Sequence, residues 1–150
     1  MAGLDAIFSN EAMLSSFAQN FARMPDKPVK IGDAWKSELK IANPMAPMVS
    51  SMTSTLKGIE TTGGAEIARI ATVSAITSDG APKPNPMMPT MKVQVGAGAG
   101  DGEVIFDARL GRLRKSVSNS TMPLSMSMDA PDGISLQATT KTVLTIELLD

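Results

Sequence analysis

Methionine is the residue type in this sequence whose number and spacing most suggest chemistry. The chain holds 12 methionines and no Cys, His or Tyr. Thioethers are soft ligands that can bind Cu(I) without help from His or Cys. The candidate copper ligands lie near proline-rich loops: Met45, Met48, Met87, Met88 and Met91. The alternative is that methionine fills an irregular core, and the shared parity of Met122, Met126 and Met128 on one predicted strand favours it.

The missing residue types exclude much catalytic chemistry. Without His, the commonest general base and metal ligand is absent. Without Cys there is no thiolate nucleophile and no zinc thiolate or iron–sulfur site. We therefore predict no catalytic residue and no cofactor, and we expect that the protein is not an enzyme.

Three other patterns resemble binding or catalytic sites. Residues 96–102 are glycine-rich, but no Gly-Lys-Ser/Thr follows and a strand comes next, so we predict a bend, a bulge or a break between strands. Lys115 and Ser116 are adjacent, so they point to opposite faces of a strand and form no local dyad. Several carboxylates could offer oxygen to Ca²⁺ but form no Asp-x-Asp-x-Asp-Gly loop: Asp101, Glu103, Asp107, Asp129 and Asp132.

Length and charge restrict the classes of protein to which this chain can belong. A chain of 150 residues suits a single domain over 1–150, and the sequence is compatible with the C-terminal part of a longer protein. The net charge is −1 and there is no cluster of Lys or Arg, so nucleic acid is not an expected partner. No apolar run is long enough to span a bilayer, and the N-terminus has no signal-peptide pattern.

The N-terminal region predicts an amphipathic helix over residues 4–24, either as one bent helix or as two short ones with Ser9-Asn10 capping the second. Its apolar residues recur at intervals of three and four, and they are Leu4, Ile7, Phe8, Leu14, Phe17, Phe21 and Met24. Pro25 and Pro28 should end the helix. We expect this helix to cover the core of the domain.

Beyond the helix, alternating polarity predicts strands over residues 33–149. Turn residues lie at Gly63-Gly64 and at 107–112, with Gly111 placed for a positive φ, and the prolines of 78–89 suggest an extended connection. The clearest alternation covers 134–148. Short turns favour an antiparallel meander. We predict a mostly β, α+β fold in which the helix packs on a curved antiparallel meander of about six strands.

A family resemblance rests on residues 25–36, where Pro28-Val29-Lys30-Ile31-Gly32-Asp33-Ala34-Trp35 resembles a Pro-Val-x-x-Gly-Asp-x-Trp signature. Similar elements follow at Thr55-Leu56-Lys57-Gly58-Ile59, at Ala68-Arg69-Ile70 and over 102–113. The signature is similar to that of an uncharacterised family of secreted or lipid-anchored bacterial proteins. This resemblance implies a periplasmic or extracellular location and no particular activity.

The leading functional hypothesis is a non-catalytic envelope domain that binds a protein or an apolar ligand, or that serves a structural role. One alternative is a Cu(I)-binding module that uses methionine. A second alternative is a carrier that holds an apolar ligand between the helix and the sheet.

Overall fold

A computed structural model of the chain describes residues 24–41, 48–78, 83–85, 88–128 and 133–148. The described residues form one 8-stranded sheet in which every pairing is antiparallel. The strands are β1 (Ala34–Ile41), β2 (Met48–Thr62), β3 (Ala65–Ser78), β4 (Lys83–Asn85), β5 (Met88–Val95), β6 (Gly98–Asp107), β7 (Arg112–Met128) and β8 (Ser135–Glu147). The prediction of a mostly β, antiparallel fold is confirmed.

Two of the long strands are each broken once. β5 and β6 both pair with β7, while β3 pairs with β6 and β4 pairs with β5. The eight segments therefore correspond to six long strands that follow one another across the sheet in chain order, as a meander does. The described residues contain no helix, and the predicted helix over 4–24 lies outside them except for Met24.

Glycines set the turns that the sequence indicates. Gly63 and Gly64, with φ of 58° and 80°, form the two-residue loop between β2 and β3, where Thr62 pairs with Ala65. Two successive positive φ values are the requirement of a type I′ hairpin turn. Gly111, with φ of 63°, lies in the turn between β6 and β7. Both predicted turns are confirmed.

The proline-rich segment differs from the prediction of an extended connection. It contains β4, with Pro84, and the start of β5, with Pro89. Among the described residues β4 pairs with β5 alone, so it lies at an edge of the sheet. Proline is tolerated in edge strands because its missing N–H need not serve a neighbouring strand.

The two faces of the sheet are buried to different degrees. We define the inner face as the one that carries Leu56, Ile70 and Val104, which are buried, and the outer face as the opposite one. On β3 the outer residue Val73 is 63% exposed, whereas Ile70 is 4% exposed. β8 is an exception because Leu136 and Val143, on opposite faces, are both exposed. Its alternating pattern correctly indicates a strand, but the burial of the inner face does not extend to it.

Candidate functional site

The inner face carries the methionines of the sheet. Strand parity and cross-strand pairing place on it every strand methionine whose side chain is described, namely Met48, Met52, Met91, Met122, Met126 and Met128. Met24, which precedes the sheet, packs against buried residues of the same face. Residues that are scattered in the sequence therefore meet on one surface.

The structure places the candidate copper ligands in different environments. Met48 is buried in a cluster with Val95, and Met122 packs against that cluster. Met91 pairs with Met128 on β5 and β7. Met88 begins β5, and Met45 and Met87 lie outside the described residues. The prediction that methionine fills the core agrees with the partly buried Met122 and Met126, but it is wrong for Met128, which is 41% exposed on the same face near the end of β7.

Two apolar clusters lie at opposite ends of the inner face. The first apolar cluster consists of Leu56, Ala68, Ile70 and Val104, with Met24, Val29, Trp35, Phe106 and Leu113 packed against it. The second apolar cluster consists of Met48 and Val95, with Ile76, Met122 and Leu124 packed against it. Residues 24–33 contribute to the first cluster, whereas the described part of the second is built from sheet residues alone.

A belt of small polar residues separates the two clusters. It consists of two cross-strand rows, in which Ser54, Thr72, Gly102 and Ser118 are successive neighbours, followed by Ser74, Gly100 and Ser120. We call these residues the hydroxyl belt. Neither row contains a charged residue. The belt therefore offers neutral hydrogen-bonding groups between two apolar surfaces.

The glycines of the belt allow a close approach of the strands. A Cβ on Gly102 would lie 2.4 Å from the carbonyl oxygen of Val117, and one on Gly100 would lie 2.7 Å from Ser74 Oγ. Of the three predicted alternatives, the structure shows a break between strands, because residues 96 and 97 separate β5 from β6. Gly98, Gly100 and Gly102 lie within β6 and precede no helix, so the segment lacks the geometry of a phosphate-binding loop.

Ser54 is the most enclosed side chain of the belt. Its residue is 0% exposed, and its Oγ has no hydrogen-bond partner among the described residues. A buried hydroxyl without a partner loses its hydration and receives no compensation for it. The sequence analysis missed this residue, although its even-numbered position in β2, shared with Met52 and Leu56, is a signal that it faces inward.

The outer face carries the charged groups. Arg69 Nε and Nη1 each lie 3.1 Å from a carboxylate, that of Glu60 and that of Glu103, and the pKa of Arg69 is raised mainly by Glu60. Lys115 Nζ lies 3.6 Å from Glu147 Oε2. An open groove of about 460 Å³ crosses this face, lined by Asp101, Gly102, Glu103, Ile105, Lys115, Val117 and Asn119. These ion pairs lie in water and are weak.

Asp107 is a buried carboxylate at the end of β6, next to the turn that leads to β7. Its Oδ1 accepts a hydrogen bond of 3.0 Å from the backbone N–H of Leu110, and its Oδ2 accepts one of 3.2 Å from Arg114 Nη2. The Leu110 N–H lowers the pKa of Asp107, burial opposes this change, and Arg114 and Arg112 lower the pKa further. These contacts give Asp107 a structural role in holding the turn.

The other candidate sites are not assembled in the described residues. Asp101 accepts a hydrogen bond from Asn119, Glu103 pairs with Arg69, and Asp107 is occupied by its turn. Asp129 and Asp132 lie outside the described residues. No group of three or more His, Cys, Asp or Glu that could hold a metal ion occurs in the described ranges. Ser116 is buried while Lys115 pairs with Glu147 on the outer face, as adjacent residues of a strand should be.

Comparisons with known proteins give a family but no relative of known activity. Neither the curated proteins nor the solved structures contain a match to the chain. In the part of the chain that the structure describes, there is no long apolar helix of the kind that crosses a membrane. A family model covers residues 1–112, which reach the first residue of β7. The expectation of an uncharacterised family is thereby confirmed, and the chain belongs to DUF6263, a family of unknown function.

Proposed function

We propose that this chain is a non-catalytic binding domain that holds an apolar ligand on the inner face of its sheet. The observation that carries the proposal is the gathering of the sheet's methionines on that one face, together with two apolar clusters. Methionine is unbranched and polarizable, so methionine-rich surfaces adapt to apolar ligands of different shape. The groove on the outer face differs in kind, because Asp101, Glu103 and Lys115 contribute charged groups to its lining.

A cover for the inner face is the second part of the proposal. Val95 and Met48 are each 7% exposed, yet all the described residues of their cluster belong to the sheet itself. We propose that the predicted helix over 4–24 lies across this face, because its last residue, Met24, packs on the first apolar cluster. Such a helix would be about 32 Å long. The strand from Leu56 to Met48 spans about 26 Å, so the helix could reach both clusters.

A dye titration tests binding to the inner face. The full chain is titrated with the neutral dye N-phenyl-1-naphthylamine, whose fluorescence rises in apolar surroundings. We expect saturable enhancement that Met52→Gln, which places an amide on the inner face, weakens several-fold. Thr53→Gln is the matched control, because position 53 points to the outer face of the same strand. Absence of saturable binding, or equal loss in both variants, would contradict the proposal.

An envelope location belongs to the same proposal. It is supported by the resemblance of residues 25–36 to a signature of secreted or lipid-anchored proteins. The test is fractionation of the source cells, followed by detection of the native protein with an antibody. We expect recovery in the envelope or extracellular fraction, and recovery with cytoplasmic markers would refute this part.

A Cu(I)-binding module is the second candidate function. The observation in its favour is that Met48 and Met122, which are distant in the sequence, belong to the same cluster. Isothermal titration with Cu(I) under reducing conditions separates the two candidates. Heat at micromolar metal that disappears in a Met48→Leu, Met122→Leu variant would support copper. No heat in the unmodified protein would eliminate it.

A further inference from the structure

The hydroxyl belt contains one fully buried hydrogen-bond donor that the described fold leaves unused. Ser54 is 0% exposed, and its Oγ has no partner among the described residues. It lies in the same cross-strand row as Thr72 and two residues from Leu56 of the first apolar cluster. Buried hydroxyls are nearly always hydrogen-bonded, so one without a partner calls for an acceptor from outside the described fold.

We propose that the ligand of the inner face is a neutral ester or amide with an apolar arm on each side of its carbonyl group. Its carbonyl oxygen accepts a hydrogen bond from Ser54 Oγ. One arm lies on the first apolar cluster and the other extends over the glycines of the belt toward the second. This inference rests on the proposed function, since it names the chemical class of the ligand that the inner face holds.

The lack of charge on this part of the face argues for a neutral polar group. The four cross-strand rows from the first apolar cluster to Ile76 contain no Lys, Arg, Asp or Glu among the described residues, and those on β2 and β3 are Ser50, Met52, Ser54, Leu56, Ile70, Thr72, Ser74 and Ile76. A carboxylate or phosphate buried here would have no cation to pair with, which is costly. A carbonyl group needs one donor, and Ser54 supplies it.

The position of the belt argues for two arms. Apolar side chains lie on both sides of it along β3, with Ile70 on one side and Ile76 on the other. Between them Gly100 and Gly102 carry no side chain, and Ser74 Oγ lies 2.7 Å from the position that a Cβ of Gly100 would take. A molecule with its polar group at one end could use only one of the clusters without burying that group against apolar atoms.

Competition for the bound dye tests the inference. Octyl octanoate, hexadecane and hexadecanoic acid have the same number of carbon atoms, and hexadecane carries no hydrogen-bond acceptor. We expect the ester to displace N-phenyl-1-naphthylamine from the unmodified protein and to need roughly threefold to tenfold higher concentrations when its hydrogen bond to Ser54 Oγ is lost, the ratio expected for one neutral hydrogen bond. The acid, charged at neutral pH, should be weaker than the ester.

The Ser54→Ala variant assigns the hydrogen bond. It should weaken displacement by the ester and leave displacement by hexadecane unchanged, whereas Ser51→Ala, on the outer face of the same strand, should change neither. Because the hydroxyl has no partner in the described fold, Ser54→Ala without ligand should melt at a temperature no lower than that of the unmodified protein. A lower melting temperature would mean that the fold already satisfies this hydroxyl, and it would overturn the inference.

The remaining outcomes separate this inference from the proposed function. Two results would overturn the ester or amide and leave apolar binding intact. One is tighter binding of the acid than of the ester, and the other is displacement by the ester that Ser54→Ala leaves unchanged or weakens no more than displacement by hexadecane. Failure of the dye itself to bind would overturn both.

Discussion

Val73 and Val104 show how differently the two faces of one sheet are used. They lie on the neighbouring strands β3 and β6 and take part in the same hydrogen-bonded ladder. Val104 is 3% exposed on the inner face, whereas Val73 is 63% exposed on the outer face. The backbone pairing is shared, so the difference lies in what covers the side chain. The packing of this sheet therefore lies mainly on its inner face, which is also the face of the proposed binding site.

The largest effect is expected when the same substitution is made on both faces. Val104→Ala removes two buried methyl groups and leaves a cavity, so it should lower the free energy of unfolding by about 2–3 kcal/mol. Val73→Ala should change it by less than about 0.5 kcal/mol, because its side chain is largely in water. Urea unfolding of both variants measures the difference. Equal destabilisation would show that the inner face is not the covered one.

Gly102 and Gly58 differ in the space that the neighbouring backbone leaves for a side chain. A Cβ at Gly102 would lie 2.4 Å from the carbonyl oxygen of Val117, while one at Gly58 meets nothing within 4 Å. Gly102→Ala should therefore force β6 and β7 apart and cost roughly 1–3 kcal/mol. Gly58→Ala should be neutral or stabilising by a few tenths of a kcal/mol, since alanine restricts the unfolded chain. Thermal unfolding checks both, and a harmless Gly102→Ala would contradict the close approach of these strands.

Acid sensitivity should distinguish the buried carboxylate from an exposed one. The pKa of Asp107 is lowered in the folded chain, mainly by the N–H of Leu110. Its ionised form therefore stabilises the fold at pH values above the ordinary carboxyl pKa of about 4, and this contribution is lost as the pH falls through the lowered pKa. Asp107→Asn should melt lower at neutral pH and lose less stability between about pH 4 and pH 2.

The matched control for this pH dependence is Asp101→Asn on the outer face. Asp101 is exposed and contacts Asn119 through one hydrogen bond of 3.3 Å. Melting temperatures of both variants and the unmodified protein, measured over the same pH series, decide the matter. If Asp107→Asn follows the unmodified curve in parallel, the buried carboxylate does not account for the acid sensitivity.

Local patterns in the sequence were sufficient to predict much of this fold. The Gly63-Gly64 turn and the Gly111 position could be recognised because positive φ is a property of the residue itself. Alternation over 134–148 correctly indicated a strand, since parity depends only on neighbours in the chain. Parity also predicted that Met122 and Met126 share a face.

Features that depend on contacts between strands could not be predicted in this way. Alternation suggested one buried face for β8, but this strand pairs only with β7 among the described strands and is exposed on both faces over most of its length. Met48 and Met122 meet in one cluster because of the order of the strands in the sheet, and the periodicity of the sequence does not reveal that order. Turn residues over 107–112 indicate the hairpin but not the hydrogen bond from the Leu110 N–H to Asp107. An Asp three residues before the N–H that it accepts from is the local signal for that bond.

The smallest effect is expected at the outer-face ion pairs. Arg69 pairs with both Glu60 and Glu103, and the side chains of all three are more than 40% exposed. Water and salt screen such pairs, and Glu60 can still neutralise Arg69 when Glu103 is lost. Glu103→Gln should therefore leave the melting temperature within experimental error of the unmodified protein at physiological salt. A clear fall in melting temperature that disappears at high salt would show that charge on the outer face contributes to stability. The two faces would then differ less in their contribution to stability than their burial suggests.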